Sequence, residues 1–204
     1  MTEILNNFPL FPISIIVLPG EIQPLHIFEP RYKQLIRDME ETKGTFGIPF
    51  IVDGKLCQYG SGVVLHKILA VSPTGEMDIL VKGVNIFSIE SMEEQLAGKL
   101  YGGGTVKILN EINKPPSNDL RKKFEGYQNQ LSRINKMDAT PSTLPLNPLI
   151  LDIAGQMPLE LEEKYKFIRL DCHEKREHFL MIKLNFLLMI NKKLEEVGYR
   201  FYLN

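Results

Sequence analysis

The chain has 204 residues, of which 44% are hydrophobic and 24% are charged, a balance typical of globular rather than disordered proteins. Lys and Arg number 24 against 25 Asp and Glu, so no net basic charge draws the chain onto nucleic acid. The two cysteines, far apart in the sequence, exclude a disulfide framework and a zinc ribbon and favour a reducing, cytoplasmic compartment.

From Phe8 to about Ile112, short β-branched runs are separated by Gly and Pro, which predicts many strands. One amphipathic helix interrupts them over residues 29–44, EPRYKQLIRDMEETKG. Pro30 suits its first turn and Gly44 its end. Its apolar positions, spaced i, i+3, i+4, i+7, are Tyr32, Leu35, Ile36 and Met39.

Two hairpins and a further strand follow this helix. FGIPFIV and KLCQYG flank Asp53-Gly54, a dipeptide that tolerates positive φ and favours a tight turn. GVVLHKILAVS and EMDILVKGVNIFSIES flank Pro73-Thr74-Gly75, which suits a turn between two long antiparallel strands, and TVKILNEI adds another strand. The pattern predicts a compact barrel-like sheet that closes on itself and so removes its edges.

The residues Lys114-Pro115-Pro116-Ser117 predict a domain boundary, since two prolines stop a strand and Ser117 or Asn118 can cap a helix. We therefore expect a β-rich domain over residues 1–115 and a helical bundle over residues 116–204. A loop rich in Pro, Ser and Thr is expected from Ala139 to Pro145. The first three helices are predicted from their apolar positions, which are Leu120, Phe124, Tyr127, Leu131 and Ile134; Leu149, Ile150, Ile153, Ala154 and Met157; and Leu161, Tyr165 and Ile168.

The fourth helix is predicted to start at an Asp171 cap, with Glu174 completing the capping pair, and to run to about Val197. Its FLMIKLNFLLMI segment is apolar almost all round, which predicts a place at the centre of the bundle or against the first half. This run, Phe179 to Ile190, is about 12 residues long, short of the roughly 20 that a membrane span needs. The amino terminus, MTEILNNFPLFP, lacks the features of a secretory signal.

Residues 8–39, FPLFPISIIVLPGEIQPLHIFEPRYKQLIRDM, resemble the opening of the amino-terminal substrate-binding domain of the Lon protease family. The hexapeptide IFEPRY, residues 27–32, is most similar to free-standing relatives of that domain. YGSGVV at residues 59–64 and ILVKGV at residues 79–84 extend the resemblance in the family's order. In the second half, MPLE at residues 157–160 and the helices after it are similar to the family's helical tail.

The resemblance implies an α+β protein: a β-rich PUA-like pseudo-barrel with one packed helix, followed by an α-helical bundle. It also implies a non-catalytic module that captures polypeptide substrates or partner proteins. In the full-length protease an ATPase and a Ser-Lys peptidase follow this domain, and nothing in the chain resembles either. Gly98-Lys99, compared with a G-x-x-x-x-G-K-[ST] phosphate loop, has Glu93 at the first glycine and Leu100 at the hydroxyl. Energy-driven proteolysis is therefore not expected of this chain alone.

Three local patterns favour structural rather than chemical roles. In HEKREH, residues 173–178, the histidines are five residues apart, which places them about 140° apart around a helix instead of on one face as H-E-x-x-H requires. Cys172 and His173 are adjacent and would point in different directions, so a structural thiol is favoured over a nucleophile. Gly102-Gly103-Gly104 precedes a strand rather than a helix, so it lacks the amide cluster that attracts phosphate. No catalytic residue, metal ligand or cofactor is predicted.

The motif residues divide into scaffold positions and candidates for binding. Pro19-Gly20 predicts a turn, and Gly62 and Gly83 predict places where strands bend or another backbone passes closely. At the start of the helix, structural roles are expected for Glu29, Pro30 and Arg31.

His26, Ile27, Phe28 and Tyr32 form the candidate peptide-binding set. Phe28 and Tyr32, four residues apart at a helix start, are compatible with core positions. The alternative hypothesis is an apolar groove at the helix–sheet junction, where an extended peptide could dock and pair its backbone with a strand edge.

The expected partners are therefore polypeptides, particularly their exposed apolar segments, with neither nucleic acid nor membrane as a partner. A small hydrolase assembled from scattered His and carboxylate residues is a second hypothesis, although no recognisable spacing supports it. RNA binding is a third, since PUA-like folds can serve it, but the balanced charge and the lack of an Arg/Lys-aromatic strip oppose it.

Overall fold

The β-branched runs of the first half form six strands. A computed structural model describes residues 3–52, 54–134 and 144–201. The strands are β1 (Glu3–Pro9), β2 (Ile22–Ile27), β3 (Thr45–Val52), β4 (Lys55–Val71), β5 (Met77–Glu93) and β6 (Gly103–Ile108). The two predicted hairpins are confirmed, since β3 pairs with β4 and β4 with β5, both antiparallel. In the first hairpin turn Gly54 has φ +71°, and Asp53 lies outside the described residues.

The strand order is β1-β6-β5-β4-β3, and β2 pairs separately with the first half of β5. Beyond β1 the chain reaches the far end of this order, because Leu10 and Ile13 form parallel bridges to Gly47 and Phe50 of β3. The Phe11 N–H donates to the Gly47 carbonyl at 2.8 Å. The sheet therefore curves until its two ends meet. The assignment of this sheet as PUA-like stays a prediction.

The helix in the first half is α1 (Pro30–Thr42), and its buried face consists of the predicted Tyr32, Leu35, Ile36 and Met39. The residue that closes it is Lys43, one residue before the predicted Gly44, because Lys43 takes the left-handed conformation (φ 54°) and donates its N–H to the Met39 carbonyl at 3.0 Å. The apolar face of α1 packs on the inner face of the sheet in one core. The sheet residues of that core include Ile27, Phe46, Ile48, Val63, Ile79 and Val81.

Two compact units divide the chain. The first consists of Met1–Glu111 and Pro158–Tyr165, and the second of Ile112–Met157 and Lys166–Asn204. The segment Pro158–Tyr165, from the second half of the sequence, thus belongs to the β-rich unit. A single boundary at residue 115 does not describe this division. The domain limits of 1–115 and 116–204 stay a prediction.

All four predicted helices of the second half are present, as α2 (Asn118–Ile134), α3 (Ile150–Ala154), α4 (Leu161–Arg169) and α5 (His173–Phe201). Residues 135–143, which include most of the predicted Ala139–Pro145 loop, lie outside the described residues. In the second unit α2 contacts α5, and α2 buries Leu120, Phe124 and Tyr127.

Not all the apolar positions that predicted α4 lie on its buried face. Leu161 is exposed and Tyr165 is half-buried, whereas Lys164, Phe167 and Ile168 are the buried residues of this helix. The spacing of apolar residues does not identify the buried face of α4, because one residue of that face is Lys164, which is buried in an ion pair.

The start and surroundings of α5 also differ from the prediction. The helix begins at His173, and its first backbone bond runs from the Arg176 N–H to the Cys172 carbonyl at 3.3 Å, so Cys172 rather than Asp171 precedes it. The Asp171 carboxylate instead accepts a hydrogen bond from Lys175 at 2.8 Å. One side of the FLMIKLNFLLMI segment is not enclosed as a central position would require, because its apolar side chains Ile182, Phe186 and Met189 are exposed. Among the helices that the structure describes, none combines the length and apolar character needed to cross a membrane.

A buried ion pair in the first unit joins α4 to the loop before β2. Lys164 Nζ lies 2.6 Å from Glu21 Oε1 and 2.8 Å from Glu21 Oε2, and it donates to the Ile16 carbonyl at 3.2 Å. Glu21 also accepts the Leu18 N–H at 2.7 Å. The Lys164 and Glu21 side chains are only 9% and 11% exposed, so each charge depends on the other for its solvation.

A second polar cluster fastens the loop between β5 and β6 to α1. Asp38 accepts hydrogen bonds from Lys99 Nζ at 2.7 Å and from the Tyr101 hydroxyl at 2.6 Å, and Gln34 accepts the Leu100 N–H at 2.6 Å. Burial by itself raises the pKa of Asp38, but the hydrogen bonds from Lys99 and Tyr101 outweigh it, so this pKa lies below its ordinary value. Burial and the bond to Asp38 raise the pKa of the Tyr101 phenol, which therefore stays a donor at neutral pH.

Lys164→Met is expected to lower the free energy of unfolding by about 3–5 kcal/mol, because it leaves the Glu21 charge buried without its partner. The double variant with Glu21→Gln should recover part of the loss. Urea unfolding measures both. Lys175→Met, which removes the exposed partner of Asp171, is the control and should leave the unfolding midpoint unchanged. Equal midpoints for Lys164→Met and the wild type would contradict the assigned role of the pair.

Asp38→Asn is expected to destabilise the chain at pH 7 and to change the way its stability depends on acid. Because the pKa of Asp38 is lowered in the native state, ionised Asp38 stabilises the fold. This contribution to the free energy of unfolding is complete above the unfolded pKa of about 4 and is lost as the pH falls through the native pKa. The stability difference between wild type and variant should therefore shrink below about pH 5. Urea unfolding at several pH values tests this, with Tyr101→Phe as a milder variant that keeps the Lys99 pair. A difference that does not change with pH would contradict it.

Candidate functional site

The residues EIQPLHIF, 21–28, alternate between the core and the surface around β2. Leu25 and Ile27 point inward and belong to or pack against the core of the first unit. Ile22, Pro24 and His26 point outward and are exposed. This is the alternation that a strand with one buried face produces, and it gathers every second side chain of β2 on one surface.

The partner strand β5 adds one further apolar side chain to that surface. The antiparallel register places Pro24 opposite Leu80, His26 opposite Asp78 and Ile22 opposite Lys82. Directly opposed side chains have Cβ atoms about 4.5–5.5 Å apart, so Leu80 lies beside Pro24. We call this surface the β2 strip and define it as Ile22, Pro24, His26, Phe28 and Leu80.

Phe28 ends the strip just before α1 begins and is exposed. The residue is 58% exposed, and its ring stacks on the His26 ring with centroids 6.1 Å apart. The His26 ring is held in turn by Asp78, whose Oδ1 lies 2.8 Å from His26 Nδ1. A contact from β5 therefore holds the two aromatic rings in position.

The other two members of the predicted set lie in the core. Ile27 is fully buried, and Tyr32 packs its ring against Phe11 with centroids 4.0 Å apart. Burial raises the pKa of Tyr32, which is consistent with a phenol removed from water. The structure thus separates the four predicted residues into two surface residues, His26 and Phe28, and two core residues, Ile27 and Tyr32.

The predicted scaffold residues surround the start of β2. Pro19-Gly20 forms a turn in which Gly20 has φ +86° and the Glu21 N–H donates to the Leu18 carbonyl at 3.0 Å. This turn lies directly against Gly83, where a Cβ would come within 2.1 Å of the Leu18 carbonyl oxygen. Any larger residue at position 83 would push the turn away from the sheet.

The remaining scaffold residues lie on β4 and at the start of α1. A Cβ at Gly62 would meet the Asn85 side chain at 2.1 Å. Pro30 occupies the first turn of α1, as its fixed φ permits. Arg31 Nη2 lies 2.7 Å from Glu29 Oε2, in an ion pair at the surface, and the Arg31 guanidinium covers the Tyr32 ring at 4.6 Å.

Charges of both signs border the strip. Asp78 and Glu29 are acidic, whereas Lys82, Arg31 and Lys67 are basic, the last because the register of β4 with β5 places it opposite Leu80. Three of these five are engaged with neighbours at 2.7–2.8 Å, since Asp78 contacts His26 and Arg31 contacts Glu29. With one positive charge in excess, the border is not the concentrated basic patch that favours phosphate.

The patterns that the sequence favoured as structural have structural surroundings. In the second unit His173 Nε2 lies 3.4 Å from Glu177 Oε1, and His178 is exposed elsewhere on α5. Across residues 3–52, 54–134 and 144–201, no three His, Cys, Asp or Glu side chains are placed to hold a metal ion. In the glycine triplet, a Cβ at Gly104 would lie 2.0 Å from the Ser91 carbonyl oxygen, which indicates close passage of two backbones.

A cavity of about 290 Å³ lies between β1 and the loop before β6. Two of its lining groups, Lys99 and Tyr101, are already bonded to Asp38. Its residues are Asn7, Pro9, Glu93, Leu96, Ala97, Lys99 and Tyr101. Lys99 and Tyr101 thus serve the fold, and the cavity is a weaker candidate than the β2 strip.

Sequence reasoning missed Ile22, Pro24 and Leu80. The signal was present for β2, because EIQPLHIF alternates, and Leu25 and Ile27 mark the buried phase. The contribution of Leu80 depends on the register between β2 and β5, strands separated by about fifty residues, and no local pattern encodes it.

Comparison with known proteins identifies relatives of this fold. Over residues 7–183 the chain matches the family model described as the ATP-dependent protease La (LON) substrate-binding domain. A comparison with curated proteins gives no significant match.

Two solved structures share the architecture. A Lon N-terminal domain protein from Xanthomonas campestris is 21% identical, with a TM-score of 0.62 over 89% of this chain and 98% of that one. The N-terminal domain of the Mycobacterium avium complex Lon protease is 14% identical, with a TM-score of 0.56 over 87% of this chain and 97% of that one. At these identities the likeness concerns the fold alone. Because the family model spans most of the 204 residues, the chain belongs to the family of the ATP-dependent protease La (LON) substrate-binding domain.

Proposed function

We propose that the chain is a non-catalytic module that binds exposed apolar segments of polypeptides on the β2 strip. The observation that carries this proposal is that Phe28, Ile22 and Pro24 are exposed together on one surface. Their neighbours Ile27 and Tyr32 are buried. Contiguous exposed apolar surface on a sheet favours contact with another apolar surface. The family's description as a substrate-binding domain supports the same function.

The expected binding is of modest strength. Covering one large apolar side chain completely stabilises a complex by about 1.5–3 kcal/mol, and Phe28 is already partly covered. The β2 strip offers a few such side chains. The free-energy cost of losing translational and rotational freedom has to be subtracted from the stabilisation that they provide. Modest affinity suits a module that samples many polypeptides and releases them.

The chemistry of the strip supports binding rather than bond cleavage. His26 is engaged with Asp78, and the side chain stacked on its ring is Phe28, which is not a nucleophile. The bordering charges are of both signs and form no basic patch, which also disfavours RNA as the partner. We therefore propose polypeptides as the partner class and assign no catalytic role to the histidine.

Phe28→Ser and Ile22→Ser are each expected to weaken binding about tenfold, which corresponds to about 1.4 kcal/mol of lost contact. The measurement is fluorescence anisotropy with a labelled apolar peptide and, in competition, a permanently unfolded polypeptide. Both side chains are exposed, so the free energy of unfolding should change by no more than about 0.5 kcal/mol.

Leu100→Ser and Ile4→Ser are the matched controls, since each removes a side chain that is 55% exposed outside the strip. These variants should bind as the wild type does. Equal loss in the controls and in the strip variants would contradict the assigned surface. No binding by the wild type at high micromolar peptide would contradict the function itself.

A further inference from the structure

The backbone of β2 has one paired edge and one unpaired edge. The Gly83 N–H donates to the Glu21 carbonyl at 2.9 Å, which shows that this carbonyl faces β5 and sets the phase of the ladder, while the Gly83 carbonyl accepts the Gly20 N–H at 3.0 Å. Hydrogen-bonded and non-bonded pairs alternate along an antiparallel ladder. The register from Ile22 opposite Lys82 to Ile27 opposite Met77 runs without a bulge, so Gln23, Leu25 and Ile27 direct their backbone groups to β5.

The intervening residues Ile22, Pro24 and His26 therefore direct their backbone groups away from β5. No other strand in the described part of the chain pairs with β2. The hydrogen bonds of the described residues also leave this outer row, the Ile22 and His26 N–H groups and the three carbonyls, without a protein partner. Such a row is a template on which a further strand can form.

Pro24 occupies the middle of the outer row, where its missing N–H faces away from the sheet. Proline within a sheet is confined to such edge positions. Two copies of this edge pairing with each other would bring together two prolines without donors, which weakens self-association. A foreign strand loses only one of the possible hydrogen bonds. The edge is thus poorly suited to its own copy and better suited to another polypeptide.

We propose that the bound polypeptide adds to the outer edge of β2 as an extended strand, an inference that rests on the function proposed above. An antiparallel segment would exchange two hydrogen bonds with Ile22 and two with His26, and would donate one to the Pro24 carbonyl. Its residues opposite Ile22, Pro24 and His26 would place their side chains on the same face as the β2 strip.

This geometry defines the class of segment that is recognised. The segment is extended, has apolar side chains at alternate positions, and has no proline at the positions that donate to β2. Backbone hydrogen bonds do not depend on side-chain identity, so many sequences satisfy these conditions. The bordering charges are of both signs, so a segment with charges of a single sign is not required.

A set of apolar octapeptides with one sequence, each carrying a single N-methyl group at a different residue, tests the proposal on the wild-type chain. N-methylation removes a backbone donor and adds bulk at the strand interface without changing the side chain. Affinity measured by anisotropy competition should fall about tenfold at every second residue across the bound segment and change little at the residues between. A period of two is the expected signature.

The possible failures are distinct. If the unmodified peptide binds and Phe28→Ser weakens it, but N-methylation has no period of two, the strand-addition proposal is wrong and the proposed function stands. If no unmodified peptide binds, the proposed function fails together with it.

Pro24→Val supplies a test from the side of the protein. It adds the N–H that the outer row lacks and keeps a small apolar side chain, so it should tighten peptide binding about fivefold. Sedimentation should be run on the same samples, because the restored donor also favours edge-to-edge pairing of two copies. Unchanged peptide affinity in a monomeric Pro24→Val sample would overturn the proposal.

Discussion

The register between β2 and β5 is the constraint on which the surface of the first unit depends. A shift by one residue would move Leu25 and Ile27 out of the core and bring Pro24 and His26 into it. The same register determines which backbone groups of β2 face β5 and which face outward. One set of hydrogen bonds thus determines which side chains form the β2 strip and which backbone groups lie at its outer edge. Both would be lost together if the pairing slipped.

Several contacts outside β2 hold this register. The Pro19-Gly20 turn lies so close to Gly83 that no side chain fits between them, and Glu21 is fixed by Lys164 from a segment more than a hundred residues away. A buried pair of this kind adds little net stability compared with a well-packed apolar pair, but it is highly specific in position. Its value here lies in fixing where β2 begins. The return of Pro158–Tyr165 to the first unit therefore makes structural sense even though it interrupts the order of the chain.

The sequence predicted much of the fold because most of its elements carry strong local signals. Pro30 and the spacing of Tyr32, Leu35, Ile36 and Met39 predicted α1 almost to the residue, and the turn residues predicted both hairpins. The failures occur where a distant partner overrides the local pattern. Lys164 occupies a buried position on α4 only because Glu21 lies opposite it, and nothing in LEEKYKFIR indicates that partner. The candidate site shows the same limit, since helix-like spacing grouped Phe28 with Tyr32, whereas the strand period and the start of α1 place them in different environments.

The composition of β2 reconciles two requirements that oppose each other. A surface that captures apolar polypeptide must expose apolar side chains and, for strand addition, unpaired backbone groups, but the same features promote aggregation. A proline in the middle of the outer row weakens pairing between identical edges more than pairing with a foreign strand, because the deficit is then present on both sides. The His26–Asp78 pair adds a polar element to the strip and limits its continuous apolar area. If extended segments bind there, their affinity is modest because the features that protect the free strip from aggregation also limit its contacts with a partner.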